Sequence, residues 1–369
     1  MKTVLSVIGT RPEAIKMAPV ILEIERQATR ARSVVCVTGQ HRQMLDQALR
    51  LFDIRPDHDL ALMLPDQSLA GLTARLFSAL DPVVRDVRPD WVLAQGDTTT
   101  VFVAAVVAFY NGVPFGHVEA GLRTGDKRSP FPEEINRRLA DAVADLYFAP
   151  TRSARQALLS EGVDDAAIRV TGNTVIDALM SVARRELDES EGELARVPKG
   201  GRLVLITAHR RESFGEPFRE LCLAIRDLAE RFAPAGVTFV YPVHLNPNVR
   251  GPVLEILAGR DNVCLIEPLD YVSIVHLMKR AALILTDSGG IQEEAPSLGV
   301  PVLVMRDKTE RPEGVEAGVV KLVGTTRETI VNEATRLLTD PAAHAAMATG
   351  VNPYGDGHAA ERIVTALLA

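Results

Sequence analysis

At 369 residues, 47% apolar and 24% charged, the chain is long enough for one large or two ordinary domains, and no stretch is polar enough to read as a long disordered tail. A formal net charge of -7, with lysine and arginine scattered, gives no basic field for a nucleic-acid backbone. Cys36, Cys222 and Cys264 are odd in number and far apart, which points to thiols in a reducing compartment and away from a disulfide framework or a metal site.

The opening "MKTVLSVIGTRPEA" has one lysine and an apolar run interrupted at Gly9 and Arg11. That is too brief for a signal peptide or a membrane span, so a cytoplasmic location is expected. From there, short apolar runs alternate with amphipathic stretches. The first half has "TVLSVIG", "SVVCVTG", "DWVLAQGD", "PFGHVEA", "LYFAPT" and "IRVTGN"; the second has "RLVLITAH", "TFVYPVH", "NVCLIEP", "LILTDSG" and "PVLVMRD". Runs apolar on both faces and separated by helical segments predict parallel strands covered by helices. The expected fold class is α/β, with two doubly wound Rossmann-like domains whose strand ends face a cleft.

The charged stretch "RELDESEGELARVPKGGR", broken by Pro198, Gly200 and Gly201, marks a change of domain, and the helix before it already reads as part of the second. The expected division is therefore 1–170 and 171–354, with the last amphipathic helix, 355–369, packing back onto the first domain.

Candidate chemistry clusters at the ends of the runs. "IGTRPEAIKMAP" (8–19) turns at Gly9 into a helix and offers Arg11 and Lys16 to an anion, although it lacks the G-x-G-x-x-G of a dinucleotide site. Acids follow strands at Asp97 in "AQGDTTT" and Glu119 in "HVEAG"; Glu133 in "PFPEEINRR" is either a cleft acid or an ordinary helix-start carboxylate. His209 ends "LVLITAH" and suits proton transfer or phosphate binding as well as a structural role, and His244 in "YPVHLNPN" shares that ambiguity. In "LTDSGGIQEEAPSLG", Ser288, Gly289 and Gly290 form a strand-to-helix turn suited to a phosphate or diphosphate, and the carboxylates of Glu293 and Glu294 follow in the helix "IQEEAPSLG". Arg311, in the loop after the next strand, has the planar fork to hold a leaving phosphate. There is no zinc or Walker motif.

The segments "GTRPEAIKMAP", "GDTTT", "HVEAGLRTGD", "PEEINRR", "TGNTVIDAL", "TAHRRESFG", "YPVHLNPNVR", "LTDSGGIQEEAPSLGVPVLV" and "ERPEGVEAG" together resemble bacterial non-hydrolysing UDP-N-acetylglucosamine 2-epimerases, from the first strand to the final helix. The resemblance implies a GT-B-like two-domain fold, a homodimer, and interconversion of UDP-N-acetylglucosamine (UDP-GlcNAc) and UDP-N-acetylmannosamine (UDP-ManNAc) without redox cofactor or metal, supplying cell-envelope polysaccharide. It implies nucleotide binding by Ser288, Gly289, Gly290, Glu294 and Arg311, with Leu269 and Ile274 near the base. Catalysis and substrate binding then fall to Arg11, Lys16, Asp97, Glu119, Glu133 and His209. Which acid serves which face of C2 stays open, and a UDP-sugar glycosyltransferase, a hydrolysing epimerase and a catalytically silent sensor are the competing readings.

Two positions depart from the family pattern. Gln95 precedes Gly96-Asp97 where a histidine is common, and Asp66 stands where an arginine is expected in a second, activating UDP-GlcNAc site that also includes Gln40, Gln43 and His244. A carboxylate there is expected to weaken activation while leaving catalysis intact.

Overall fold

The computed structural model describes residues 1–39, 42–64 and 67–369, with the backbone alone for 42 and 43. The expectations for the side chains of Gln40, Gln43 and Asp66 thus lie outside the described residues. The chain forms two compact units, residues 1–178 with 354–369, and residues 179–353.

Unit one is built on seven strands: β1 (Lys2–Ile8), β2 (Ala31–Val37), β3 (His58–Asp59), β4 (Trp91–Gln95), β5 (Phe115–Val118), β6 (Leu146–Ala149) and β7 (Ile168–Val170). They lie in the order β3-β2-β1-β4-β5-β6-β7, all parallel. The reason is visible in β1, where Val4, Leu5, Val7 and Ile8 are fully buried: side chains on both faces are apolar because helices cover both faces. Burying each such side chain contributes about 1.5–3 kcal/mol before the entropy of ordering is counted.

The last helix, Ala359–Leu368, belongs to unit one. Its first turn is capped from afar: the Asp177 carboxylate accepts the amides of Ala359 and Ala360, at 3.2 and 2.9 Å. At its other end Lys2 Nζ donates to the Leu367 carbonyl at 2.9 Å.

Unit two has six strands, β8 (Arg202–Thr207), β9 (Val237–Pro242), β10 (Val263–Ile266), β11 (Ala281–Thr286), β12 (Val302–Val304) and β13 (Val320–Leu322), parallel and ordered β10-β9-β8-β11-β12-β13. The two α/β sheets meet the sequence expectation of fold class. β3 and β13 are additions at sheet edges; two and three residues long, and partly polar, they are too short to stand out as apolar runs.

In each sheet the chain order reverses once, between β1 and β4 in unit one and between β8 and β11 in unit two. Outside the carboxyl ends of strands at such a reversal, neighbouring loops diverge to opposite faces and leave a crevice. Gly9 to Arg11 and Gly96 to Asp97 lie at the first reversal, His209 to Arg210 and Asp287 to Ser288 at the second.

Candidate functional site

In unit one, β1 turns through Gly9 and Thr10 into the helix Arg11–Arg26, whose first turn accepts Pro12 because an amide there has no intrahelical partner. Glu13 holds the turn. Its Oε2 accepts the amides of Gly9 at 2.5 Å and Thr10 at 3.3 Å, and the Thr10 hydroxyl donates to Oε1 at 3.1 Å. Gly9 must be glycine, because a Cβ would collide with Thr100 Oγ1. Burial pushes the Glu13 carboxyl from an ordinary 4.5 to about 7, against the opposing effect of the Gly9 amide. Arg11 is half-buried at the helix start.

One turn further, Lys16 Nζ lies 2.5 Å from Glu119 Oε2, both side chains being largely buried. Glu119 directly follows β5 with φ 68, a left-handed conformation that a long side chain without glycine's freedom rarely adopts and that persists only where the surroundings enforce it. Two backbone bonds do so here: the amides of Glu119 and Ala120 both donate to the Phe148 carbonyl, at 3.0 and 3.1 Å.

Asp97 is held from the helix Glu133–Asp141. Arg137 Nη2 donates to Asp97 Oδ2 at 2.5 Å, and Asn136 Nδ2 to the Asp97 carbonyl at 2.9 Å. The two acids that begin this helix divide in character. Glu134 is buried and accepts from the Thr124 amide at 3.1 Å and Arg137 Nη1 at 3.3 Å, whereas Glu133 is only half-buried. The structure thus joins Lys16 to Glu119 directly, and Asp97 to Glu133 through the helix that Glu133 begins.

In unit two, Asp287 is the organising group at the end of β11. It is fully buried, and its Oδ2 accepts the amides of His209 and Arg210 at 2.6 and 2.7 Å. Its Oδ1 lies 3.8 Å from His209 Nδ1. The His209 ring stacks on that of His244, with centroids 5.3 Å apart and planes at 13°. Burial lowers the His209 pKa, with the His244 and Arg210 charges adding to the effect and Asp287 opposing it.

The turn after Asp287 is shorter than the sequence suggests. The helix runs only from Gly289 to Glu294, then tightens into a 3-10 turn at Ala295–Leu298, because Pro296 has no amide to continue the ladder. The Ser288 amide already donates to Thr286 Oγ1 at 2.9 Å. Arg210 lies over the turn, with Nη2 3.6 Å from where a Cβ on Gly289 would stand.

Arg311 reaches this helix through two links. Its Nε donates to Glu293, and its amide to Thr309 Oγ1 at 3.0 Å, whose hydroxyl in turn donates to Gln292 Oε1 at 2.6 Å. Glu294 accepts the Tyr271 hydroxyl at 2.7 Å, which ties the segment bearing Leu269 and Ile274 to the same turn.

Glu13, Arg137, Arg210 and Asp287 adjoin the candidate residues but were not themselves singled out from the sequence. Thr10 and Glu13 carry the spacing of a capping box, which was a usable signal. Arg137, Arg210 and Asp287 lie within the segments that carry the family resemblance, but nothing local singles them out, since Asp97 lies 40 positions from Arg137, and Asp287 lies 78 and 77 from the amides it accepts. Among the described residues no cluster of three or more histidine, cysteine, aspartate or glutamate side chains is arranged to hold a metal ion, and no helix is long and apolar enough to cross a membrane.

A family model described as UDP-N-acetylglucosamine 2-epimerase matches residues 23–368. The UDP-N-acetylglucosamine 2-epimerase of Escherichia coli strain K12 is 53% identical over 370 residues, covering 99% of this chain and 98% of that protein. Among solved structures, the UDP-GlcNAc 2-epimerase of Neisseria meningitidis bound to UDP-GlcNAc superposes with a TM-score of 0.88 at 50% identity, covering 99% of both chains. The kitacinnamycin glycosyltransferase, at 16% identity and TM-score 0.61 over 100% of this chain and 99% of that one, shares the fold.

Proposed function

The chain belongs to the UDP-N-acetylglucosamine 2-epimerase family, and we propose that it interconverts UDP-GlcNAc and UDP-ManNAc without hydrolysing either, by anti elimination of UDP to a 2-acetamidoglucal and re-addition. The observation that carries this reading is the family match across residues 23–368. The product would supply N-acetylmannosamine units for cell-envelope polysaccharide.

The chemistry follows from what C2 lacks. With no adjacent carbonyl, its proton is not acidic enough for direct abstraction. Departure of UDP from C1 makes the ring cation-like, and a base then takes the C2 proton as the double bond forms. Leaving-group stabilisation and proton transfer are thus the two tasks.

Unit two is suited to the first. Arg311, held by Glu293, and Arg210, over the glycine turn, provide the cations, and the amides of Gly289 and Gly290 are the turn's donors, since that of Ser288 is engaged with Thr286. Preorganised donors of this kind contribute on the order of 3 kcal/mol each to stabilising developing charge. His209, backed by Asp287, serves the diphosphate, while Glu294, Leu269 and Ile274 serve the nucleoside.

Unit one is suited to the second. Glu119, Asp97 and Glu133 handle the proton at C2, removal and delivery being on opposite faces because the centre inverts. Lys16 and Arg11 bind substrate, Lys16 also holding Glu119 in place. A homodimer is part of the proposal, and light scattering should give twice the chain mass.

Incubation with UDP-GlcNAc in deuterium oxide, followed by NMR, tests the whole reading. UDP-ManNAc carrying deuterium at C2 is the expected product. Free N-acetylmannosamine with UDP would indicate a hydrolysing enzyme, and UDP release without isomer a transferase. Unchanged substrate would leave only a binding protein.

A further inference from the structure

His117 is a fully buried histidine within β5, where a lone ring would ordinarily be one more core side chain. Its surroundings are polar on both edges. Nδ1 lies 2.6 Å from Asp141 Oδ1, and Nε2 lies 2.7 Å from the Gly96 carbonyl oxygen. A carbonyl oxygen only accepts, so Nε2 carries a proton. Asp141 Oδ2 meanwhile takes Arg123 Nη2 at 2.7 Å and the Gly121 amide at 3.3 Å, an arrangement that fits an ionised carboxylate. Nδ1 must therefore donate as well, and the ring is an imidazolium.

The charges around it balance. Asp141 faces the ring from the end of the helix Glu133–Asp141, Arg123 lies behind Asp141, and Glu161 pairs with Arg123 at 2.7 Å. From β6, the Tyr147 hydroxyl donates to the Asp141 carbonyl at 2.8 Å. Burial opposes the charge on His117, yet the Asp141 carboxylate and the Gly96 carbonyl together raise its pKa.

The ring bonds two segments to the strand that carries it. Gly96, in a left-handed turn with φ 87, directly precedes Asp97. Two residues beyond His117, just past the end of its own strand, is Glu119. Asp141 closes the helix that Glu133 begins, and the same carboxylate fixes Gly121 and Arg123 in the loop after Glu119.

We propose that His117, as a doubly donating ring clamped between Gly96 and Asp141, is the positioning residue that holds Asp97, Glu119 and Glu133 in one fixed arrangement for proton transfer at C2. No other side chain offers two N–H donors on opposite edges of a rigid ring, so glutamine can satisfy one acceptor but not both. The inference rests on the epimerase reading and deepens it.

Two measurements on the full-length chain test it. Nitrogen-15 NMR of histidine-labelled wild-type protein at pH 7 should show both His117 ring nitrogens protonated; a neutral ring there overturns the proposal. In His117→Gln, kcat should fall at least tenfold with the Kd for UDP within twofold of wild type, and a folded variant with kcat within twofold also overturns it. If His117→Gln does not fold, Asp141→Asn decides: loss of the doubly protonated ring together with a fall in kcat supports the proposal, and loss of it with kcat unchanged refutes it. Wild-type protein that keeps the doubly protonated ring but does not epimerise UDP-GlcNAc defeats the functional reading instead, so the two failures are distinguishable.

Discussion

Lys16 and Glu119, 103 positions apart in the chain, form a largely buried ion pair between the first helix and the end of β5. Removing either partner would leave the other charge poorly solvated, so the pair fixes both side chains.

Glu119→Gln keeps the shape of the side chain and removes its basic oxygen. Turnover of UDP-GlcNAc should fall by about 100-fold or more if Glu119 transfers the C2 proton. UDP affinity by calorimetry should be unchanged, because the diphosphate groups named above are in unit two. Near-normal turnover would move the role to Asp97 or Glu133.

Arg311→Ala should weaken UDP binding by roughly 2–3 kcal/mol, the value of a charge-assisted bond at a partly desolvated site. Glu293→Gln should have a smaller effect in the same direction, since Glu293 holds the Arg311 guanidinium. Calorimetric titration with UDP measures both, and an unaltered Kd in Arg311→Ala removes it from the nucleotide site.

Glu13 makes stability depend on pH with an unusual sign. Its folded pKa, about 7, lies above the ordinary 4.5, so the folded state binds the proton more tightly than the unfolded chain. Its contribution is fully present below about pH 4.5 and is lost as pH rises to 7, by at most about 3 kcal/mol. Glu13→Gln, which stays neutral, should therefore gain relative to wild type between pH 5 and pH 8. Melting curves at the two pH values that keep a constant offset would contradict this.

Gly121 has φ 86, and a Cβ there would collide with the Ala154 carbonyl oxygen. Gly121→Ala combines backbone strain with a clash against main chain that cannot swing aside, and should cost on the order of 2–4 kcal/mol. Urea denaturation would register that as a lower midpoint. Gly125→Ala also has a positive φ but nothing within 4 Å, and should cost less.

The periodic apolar runs were enough to announce parallel sheets, because a strand buried on both faces is apolar at nearly every position, and that is a local property. The glycine turns and the acids after strands were visible for the same reason: what makes Gly289 or Glu119 unusual is its immediate neighbours. The helix after Ser288 read as longer than it is, although Pro296 marked where it would tighten.

Which groups meet was a matter of tertiary structure alone. Strand order places β4 beside β1 and β11 beside β8, and so sets Asp97 near the Gly9 turn and Asp287 beneath His209. Sequence spacing carries no information about such order, since hydrogen bonds between parallel strands are the same whichever strands are paired. His117 is the sharpest case. In sequence it is one polar residue in an apolar run; its two acceptors, Gly96 and Asp141, come from the turn after β4 and a later helix, and only tertiary structure brings them to opposite edges of one ring.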